Sequence, residues 1–285
     1  MEARPPVSES LREYLRGLAG GLMFSLPLLY KMEVWWAGFI AEPMRLLVGL
    51  LAVFLLLLGY NQYAGLRHDA TWLEVVIDSV EELGLGLLVA AGMLFLLGRL
   101  EPGLRLSENL GKIVVEGMTV AIGISIGTSQ LGGGSAEDGE KGSAGSGAGR
   151  SAKQEVHFGG QLVIAFCGAV LFAANVAPTE EILVIASESR LVNLLGISVM
   201  SIVLSALILY YIEFSGARRF VQRDGFSSVL GGSVVSYAVA LVASAAVLWF
   251  YGRFDQMPLG TCLAQTVVLG LAAALGASAG RLLLQ

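Results

Sequence analysis

Eight carboxylates of this 285-residue chain stand inside or at the edge of long apolar runs: Glu33, Glu74, Asp78, Glu81, Glu82, Glu116, Glu180 and Glu181. A carboxylate in hydrocarbon costs about 2.5–3.5 kcal/mol even on the lenient insertion scale, so such groups point first to ion pathways or proton relays. Two stretches, Pro27-Leu-Leu-Tyr-Lys-Met-Glu33 and Asn175-Val-Ala-Pro-Thr-Glu-Glu181, each join a proline to carboxylates late in an apolar segment. Pro27 and Pro178 each lack a backbone donor and free a carbonyl one turn earlier. That predicts helix breaks whose unsatisfied groups face protein or a water-lined cavity. Glu33, Glu180 and Glu181 would bind or relay an ion there. Tyr30, Asn175 and Thr179 add neutral oxygens, and Lys31 is a candidate ion-pair partner for a carboxylate of the other stretch. The competing reading puts both stretches at the outer interface beside Trp35 and Trp36, lining a vestibule.

Glu116 lies about eight residues into a predicted helix, hence ~12 Å deep at 1.5 Å per residue. A lone glutamate at that depth is expected to serve as a proton-coupling acid or as interhelical glue. Glu74, Asp78, Glu81 and Glu82 fall at i, i+4, i+7 and i+8, on one face of a helix that leads into the bilayer. They could form a cytoplasmic acidic mouth that concentrates cations. The alternative is the solvated face of an interfacial helix.

The elements that must hold these residues are membrane helices. Apolar residues make up 55% of the chain and charged residues 14%, with a mean hydropathy of +0.72. A soluble domain of this length needs far more charged surface. Runs of about 20 apolar residues, long enough to cross ~30 Å of hydrocarbon, recur near 16–40, 46–62, 77–98, 109–129, 160–183, 190–212, 227–251 and 258–280. The Gly/Ser-rich segment 131–156 has no apolar face and reads as a flexible cytoplasmic linker. It divides the chain into a first unit, 1–130, and a second, 157–285.

The two units match each other. Placing Phe24 over Phe172 puts Glu33 over Glu181. Gly98-Arg-Leu-Glu101 aligns with Gly252-Arg-Phe-Asp255, and Gly123, Ser125 and Gly127 align with Gly276, Ser278 and Gly280. The offset stays between 148 and 154 positions, which predicts two tandem four-helix repeats. Four crossings per unit give both copies the same orientation, and hence a pseudo-two-fold axis along the membrane normal. The fold class expected is an all-α membrane protein of eight transmembrane helices. Gly123/Gly127 and Gly276/Gly280 are GxxxG spacings that read as packing seams, joining either the halves or two protomers of a homo-oligomer. With the N-terminus inside, eleven Lys/Arg fall in cytoplasmic segments and seven on the opposite side, so both termini are expected in the cytoplasm.

Several classes are set aside. The net charge of -5 and the absence of a basic tract exclude nucleic acid as a partner. Two histidines, His68 and His157, and two cysteines, Cys167 and Cys262, make neither a disulfide framework nor a zinc site. No Ser/His/Asp set, Walker loop or HExxH occurs, so neither an enzyme nor a bound cofactor is expected.

Through residues 20–36 and Asn175–Glu181 the chain resembles an uncharacterised family of bacterial integral membrane proteins. The resemblance covers nearly everything but the linker and implies a bacterial inner-membrane setting, without an activity. Arg16 with Phe24-Ser25 is also similar to the Phe-Ser-Asp motif of a lysosomal and bacterial potassium channel family. Leu26 stands where that motif has its acid, so no filter or gate residue is carried over. The reading that follows is a transport protein, channel or secondary carrier, for a small cation or proton, with carboxylates of both repeats forming its site. The alternative is a non-transporting sensor, scaffold or assembly factor with a packed polar core.

Overall fold

The computed structural model describes residues 7–65, 71–100, 103, 105–132, 158–215 and 225–282. Ten helices account for nearly all of them, and no strand occurs among the described residues. In chain order they are α1 Val7–Leu29, α2 Met32–Ile40, α3 Pro43–Ala64, α4 Trp72–Leu96 and α5 Leu106–Gly132. Then follow α6 Phe158–Val176, α7 Glu181–Glu188, α8 Leu191–Ser215, α9 Gly225–Phe250 and α10 Leu259–Leu282. The segment read as a linker lies outside the described residues, except Leu131 and Gly132, which close α5.

Seven of these helices are long and apolar enough to cross a membrane: α3, α4, α5, α6, α8, α9 and α10. This corrects the single spans drawn at 16–40 and 160–183. The first divides into α1 and α2 around Tyr30–Lys31, and the second into α6 and α7 around Ala177–Glu180. α1 is not among the seven, and its first ten residues include Ser8, Glu9, Ser10, Arg12, Glu13 and Arg16.

Burial sorts the helices by position. α5 is the central post of the first half, with 83% of its apolar window buried, whereas α8 has 11% and lies on the periphery. Glycines bring α5 against α1. A side-chain carbon on Gly127 would overlap the backbone of Gly20, and one on Gly20 would crowd the Gly123 carbonyl. The second half does the same with other glycines: Gly168 of α6 meets Gly276 and Gly280 of α10. Backbones this close gain dispersion contacts that a Cβ would block. The GxxxG faces therefore pack within each half, on α1 and α6 respectively, rather than joining one half to the other.

Both halves turn out of their third long helix, α4 or α9, in the same way. Gly98 and Gly252 adopt φ of +68° and +71°, the left-handed region where a Cβ is penalised. Arg99 N–H then donates to Leu94 O at 2.8 Å and Gly98 N–H to Phe95 O at 3.0 Å. Arg253 and Gly252 repeat the pattern on Leu248 and Trp249, at 2.9 and 3.0 Å. These are Schellman caps, which satisfy the last carbonyls of α4 and α9. Within each half the next helix reaches back to the same turn. Lys112 Nζ donates to Arg99 O at 3.0 Å, and Gln265 Nε2 to Arg253 O at 3.4 Å.

The halves meet along α3 and α6. Leu57 and Val53 share a buried cluster with Ile164, Cys167 and Leu171. At the end of the molecule holding the helix breaks, the contact is ionic. The Arg45 guanidinium makes two bonds to Asp255, at 2.7 and 2.8 Å, and lies over the Trp249 ring at 5.6 Å.

Candidate functional site

The acidic stripe of α4 faces into the first half. α4 opens on a capping box in which Glu74 accepts from the Thr71 backbone N–H at 2.7 Å, so this carboxylate holds the helix start. One to two turns later, Asp78, Glu81 and Glu82 line a cavity of about 260 Å³ enclosed by α1, α3, α4 and α5. The rest of the wall includes Tyr14, Asn61, Ser125, Thr128 and Ser129. Elsewhere on α4, Trp72, Leu73 and Val80 are exposed where lipid would cover them.

Asn61 organises the cavity. Its side-chain N–H₂ donates to Glu82 Oε2 at 2.8 Å and to Ser79 Oγ at 3.1 Å, while its oxygen accepts from Ser125 Oγ at 3.0 Å. Every polar atom of that buried amide is thus engaged, as a buried amide in a low-dielectric bundle requires. Tyr14 Oη donates to Glu81 Oε2 at 3.1 Å, and Tyr60 Oη lies 2.8 Å from Ser129 Oγ. No lysine or arginine occurs among the described lining residues. Three carboxylates with hydroxyl oxygens and no fixed cation form a field that attracts positive charge.

Sequence reading placed Asp78, Glu81 and Glu82 on one face but missed Asn61, Ser79, Ser125, Tyr14, Tyr60 and Ser129. The signals were present. Asn61 is an amide at the end of an apolar run, Ser79 precedes Glu82 by three positions, and Ser125 sits inside the glycine pair read only as a seam.

In the second half, 153 or 154 positions after Ser79, Glu82 and Ser125, stand Ser233, Ser236 and Ser278, and all three are buried.

Glu116 lies on α5, nine residues and roughly 13 Å along the axis from Ser125. It is 0% exposed, and neither carboxyl oxygen has a hydrogen-bond partner among the described residues. Lys112, one turn earlier, is engaged with the Arg99 carbonyl.

The helix breaks do not gather the expected carboxylates. Glu33, Glu180, Glu181 and Tyr30 are exposed. Lys31 meets the other half, but its ammonium donates to the backbone carbonyl of Asn175, which corrects the expected pairing with a carboxylate. The physical reason is the break itself. Thr179 N–H turns to Val176 O at 3.0 Å, leaving the Asn175 carbonyl to Lys31. Arg253 donates to the Pro178 carbonyl and binds Glu180 at 2.8 Å. Trp35 Nε1 caps Leu29 O at 3.1 Å, and Thr179 Oγ1 caps Val176 O at 2.8 Å. Its own backbone N–H and the Thr179 hydroxyl hold the Glu181 carboxyl below the ordinary carboxylate range, with Lys31 and Arg253 adding to the effect. The carbonyls released at the breaks are thus capped by Lys31, Arg253, Trp35 and Thr179.

Comparison with known proteins places this geometry in a family. No curated protein matches the chain, and no solved structure matches it. Residues 13–284 match the family model described as "Putative integral membrane protein (DUF2391)". The match spans both halves and every helix that lines the acidic cavity, so the chain belongs to this family of integral membrane proteins.

Proposed function

We propose that the chain is a transport protein, channel or secondary carrier, for a cation or proton, and that its binding site is the acidic cavity of the first half. The observation that carries this reading is the cavity itself. It sets Asp78, Glu81 and Glu82 beside hydroxyl oxygens, inside a membrane bundle and without a compensating lysine or arginine among its described walls. Glu82 would hold the cation and Asn61 would orient it, with Asp78 and Glu81 forming the inner mouth. The outer carboxylates Glu33, Glu180 and Glu181 would serve at most as a vestibule.

The frame we propose is two tandem units of four crossings related by a pseudo-two-fold axis along the membrane normal, with α1–α2 and α6–α7 as corresponding broken elements. The matching Schellman caps, the matching glycine contacts and the Lys112/Gln265 correspondence support it. The arginine and lysine bias supports cytoplasmic termini, and the resemblance in sequence supports a bacterial inner membrane. A non-transporting sensor or scaffold is the second reading. The capped helix breaks favour it, because paired and satisfied groups leave the outer end without an open site.

Cation flux into proteoliposomes, with a panel of monovalent and divalent ions with and without a pH gradient, tests the choice. Glu82→Gln should abolish a cation-selective flux that Glu181→Gln retains. Silence across the panel, with folded and inserted protein, would favour the scaffold. Flux lost in Glu181→Gln and kept in Glu82→Gln would return the site to the outer breaks.

A further inference from the structure

We infer that Glu116 and Tyr251 form a proton-binding site at the seam between the two halves, and that its occupancy sets how tightly the seam closes. This goes beyond the transport reading and stands whether or not the chain conducts an ion. Glu116 has no exposed surface, and both its oxygens lack a partner among the described residues. An ionised carboxylate left so would carry the full desolvation cost of a buried unpaired charge, whereas the neutral acid fits the packing.

The site lies on the seam because of its neighbours. Val115, the adjoining residue, clusters with Leu28 and Val34 of the first half and with Phe250 and Tyr251 of the second. Gly49 of α3 opens the space into which the Phe250 ring fits. Tyr251 thus packs beside the residue next to Glu116, and burial first, with the Glu116 charge second, pushes its phenol up. The position corresponding to Glu116 in the second half is Leu269, fully buried, so the acid occurs once and at the seam.

The other charged groups on the helices packed against α5 are engaged or remote. Lys112 on α5 itself bonds the Arg99 carbonyl, Lys31 between α1 and α2 bonds the Asn175 carbonyl, and Arg45 on α3 is paired with Asp255. Glu33 on α2 is exposed. The carboxylates of α4 belong to its opposite end, the ionisable residues of α1 fall at positions 9–16, and α6 has no charged residue, its one ionisable group among these being the Cys167 thiol. Among the described residues no unengaged cation stands ready to receive a charge on Glu116. Release of its proton must therefore admit water or part the apolar faces, and Val115, Phe250 and Tyr251 are the surfaces that would part.

Cys167 reports on the same seam. It is 1% exposed, on α6, with its sulfur 3.9 Å from the Leu56 carbonyl of α3 in the other half. In full-length protein carrying Cys262→Ser and reconstituted in vesicles, the rate of labelling by a membrane-permeant maleimide would be followed from about pH 5 to about pH 9, a range bracketing ordinary carboxyl and thiol titrations. Dividing by the rate in the same protein carrying Glu116→Gln removes the intrinsic thiol dependence. The ratio should be near one at low pH and rise severalfold as Glu116 loses its proton; a flat ratio would overturn the proposal. Infrared spectroscopy keeps the test valid should Glu116→Gln fold poorly. Wild-type protein at neutral pH should show the carbonyl stretch of a neutral carboxylic acid, shifted in Tyr251→Phe. Absence of that band in wild type would sink the proton site, and an unshifted band would remove Tyr251 from it.

Discussion

The carboxylates at the two ends of the molecule differ in what surrounds them. Asp78, Glu81 and Glu82 share a cavity organised by Asn61, with hydroxyls of α1 and α5 in its wall. Glu33, Glu180 and Glu181 emerge onto the surface, beside a lysine and an arginine that cap broken helix ends. Both sets come from the same residue types in the same apolar context. The difference teaches that a proline next to a carboxylate does not by itself make a membrane ion site. The broken helix ends also expose carbonyls that are strong acceptors, and here cationic side chains satisfy two of them, those of Asn175 and Pro178. At the inner end no lysine or arginine occurs among the described walls, and the acids Glu81 and Glu82 meet neutral donors, Tyr14 and Asn61.

Removing the organiser of the inner end should have the largest effect. Asn61→Leu strands the Glu82 carboxylate and the Ser125 hydroxyl together, and each unmade buried bond costs about 1–3 kcal/mol. A thermal unfolding midpoint in detergent well below that of Glu33→Gln is the expected outcome. Equal midpoints would erase the contrast between the two ends.

At the outer end the capping role can be separated from the ion pair. Arg253→Gln loses both the Pro178 carbonyl and Glu180, whereas Glu180→Gln loses only a pair whose carboxylate is 69% exposed. Surface pairs contribute about 0–1 kcal/mol, so the arginine variant should be clearly less stable than the glutamate variant in denaturant unfolding. The reverse order would mean that the ion pair, not the cap, holds the break.

The smallest effect concerns pH. The Arg45 guanidinium, by its hydrogen bonds and charge, holds the exposed Asp255 carboxyl below the ordinary carboxylate range. A carboxyl depressed in the folded state stabilises above its unfolded value, and the contribution is lost as pH falls through its folded value. Arg45→Gln should therefore lower stability slightly at neutral pH and leave it nearly unchanged in acid, which flattens the acid limb, as read by melts along a pH series. Glu181→Gln should scarcely alter the neutral-pH melt.

How much of this was legible in the sequence varies with the residue. The capped glycines at 98 and 252 stood out because both precede an arginine at the same offset, and the structure gives both the same turn. Gly123, Gly127, Gly276 and Gly280 were legible as packing positions. Their partners Gly20 and Gly168 were not, because a spacing within one helix says nothing about the helix opposite. Pro27 lies inside α1 and the first break comes after it, at Tyr30–Lys31, whereas the break at Pro178 followed from the missing donor. The lysine and arginine that close them did not, because Arg253 lies 75 positions from Pro178 and Lys31 lies 144 from Asn175.

The sequence by itself determined that this is a helical membrane protein, and where most of its apolar helices run. Solvation by lipid is a property of each run of about 20 residues taken alone, and lipid leaves the backbone no alternative but to bond within the run. Only the tertiary structure decided which carboxylates share a cavity, which lie at the surface, and that Glu116 meets the second half without a partner. A buried charge is stabilised or stranded by groups a few ångströms away, and in this chain those groups come from helices far apart in the sequence.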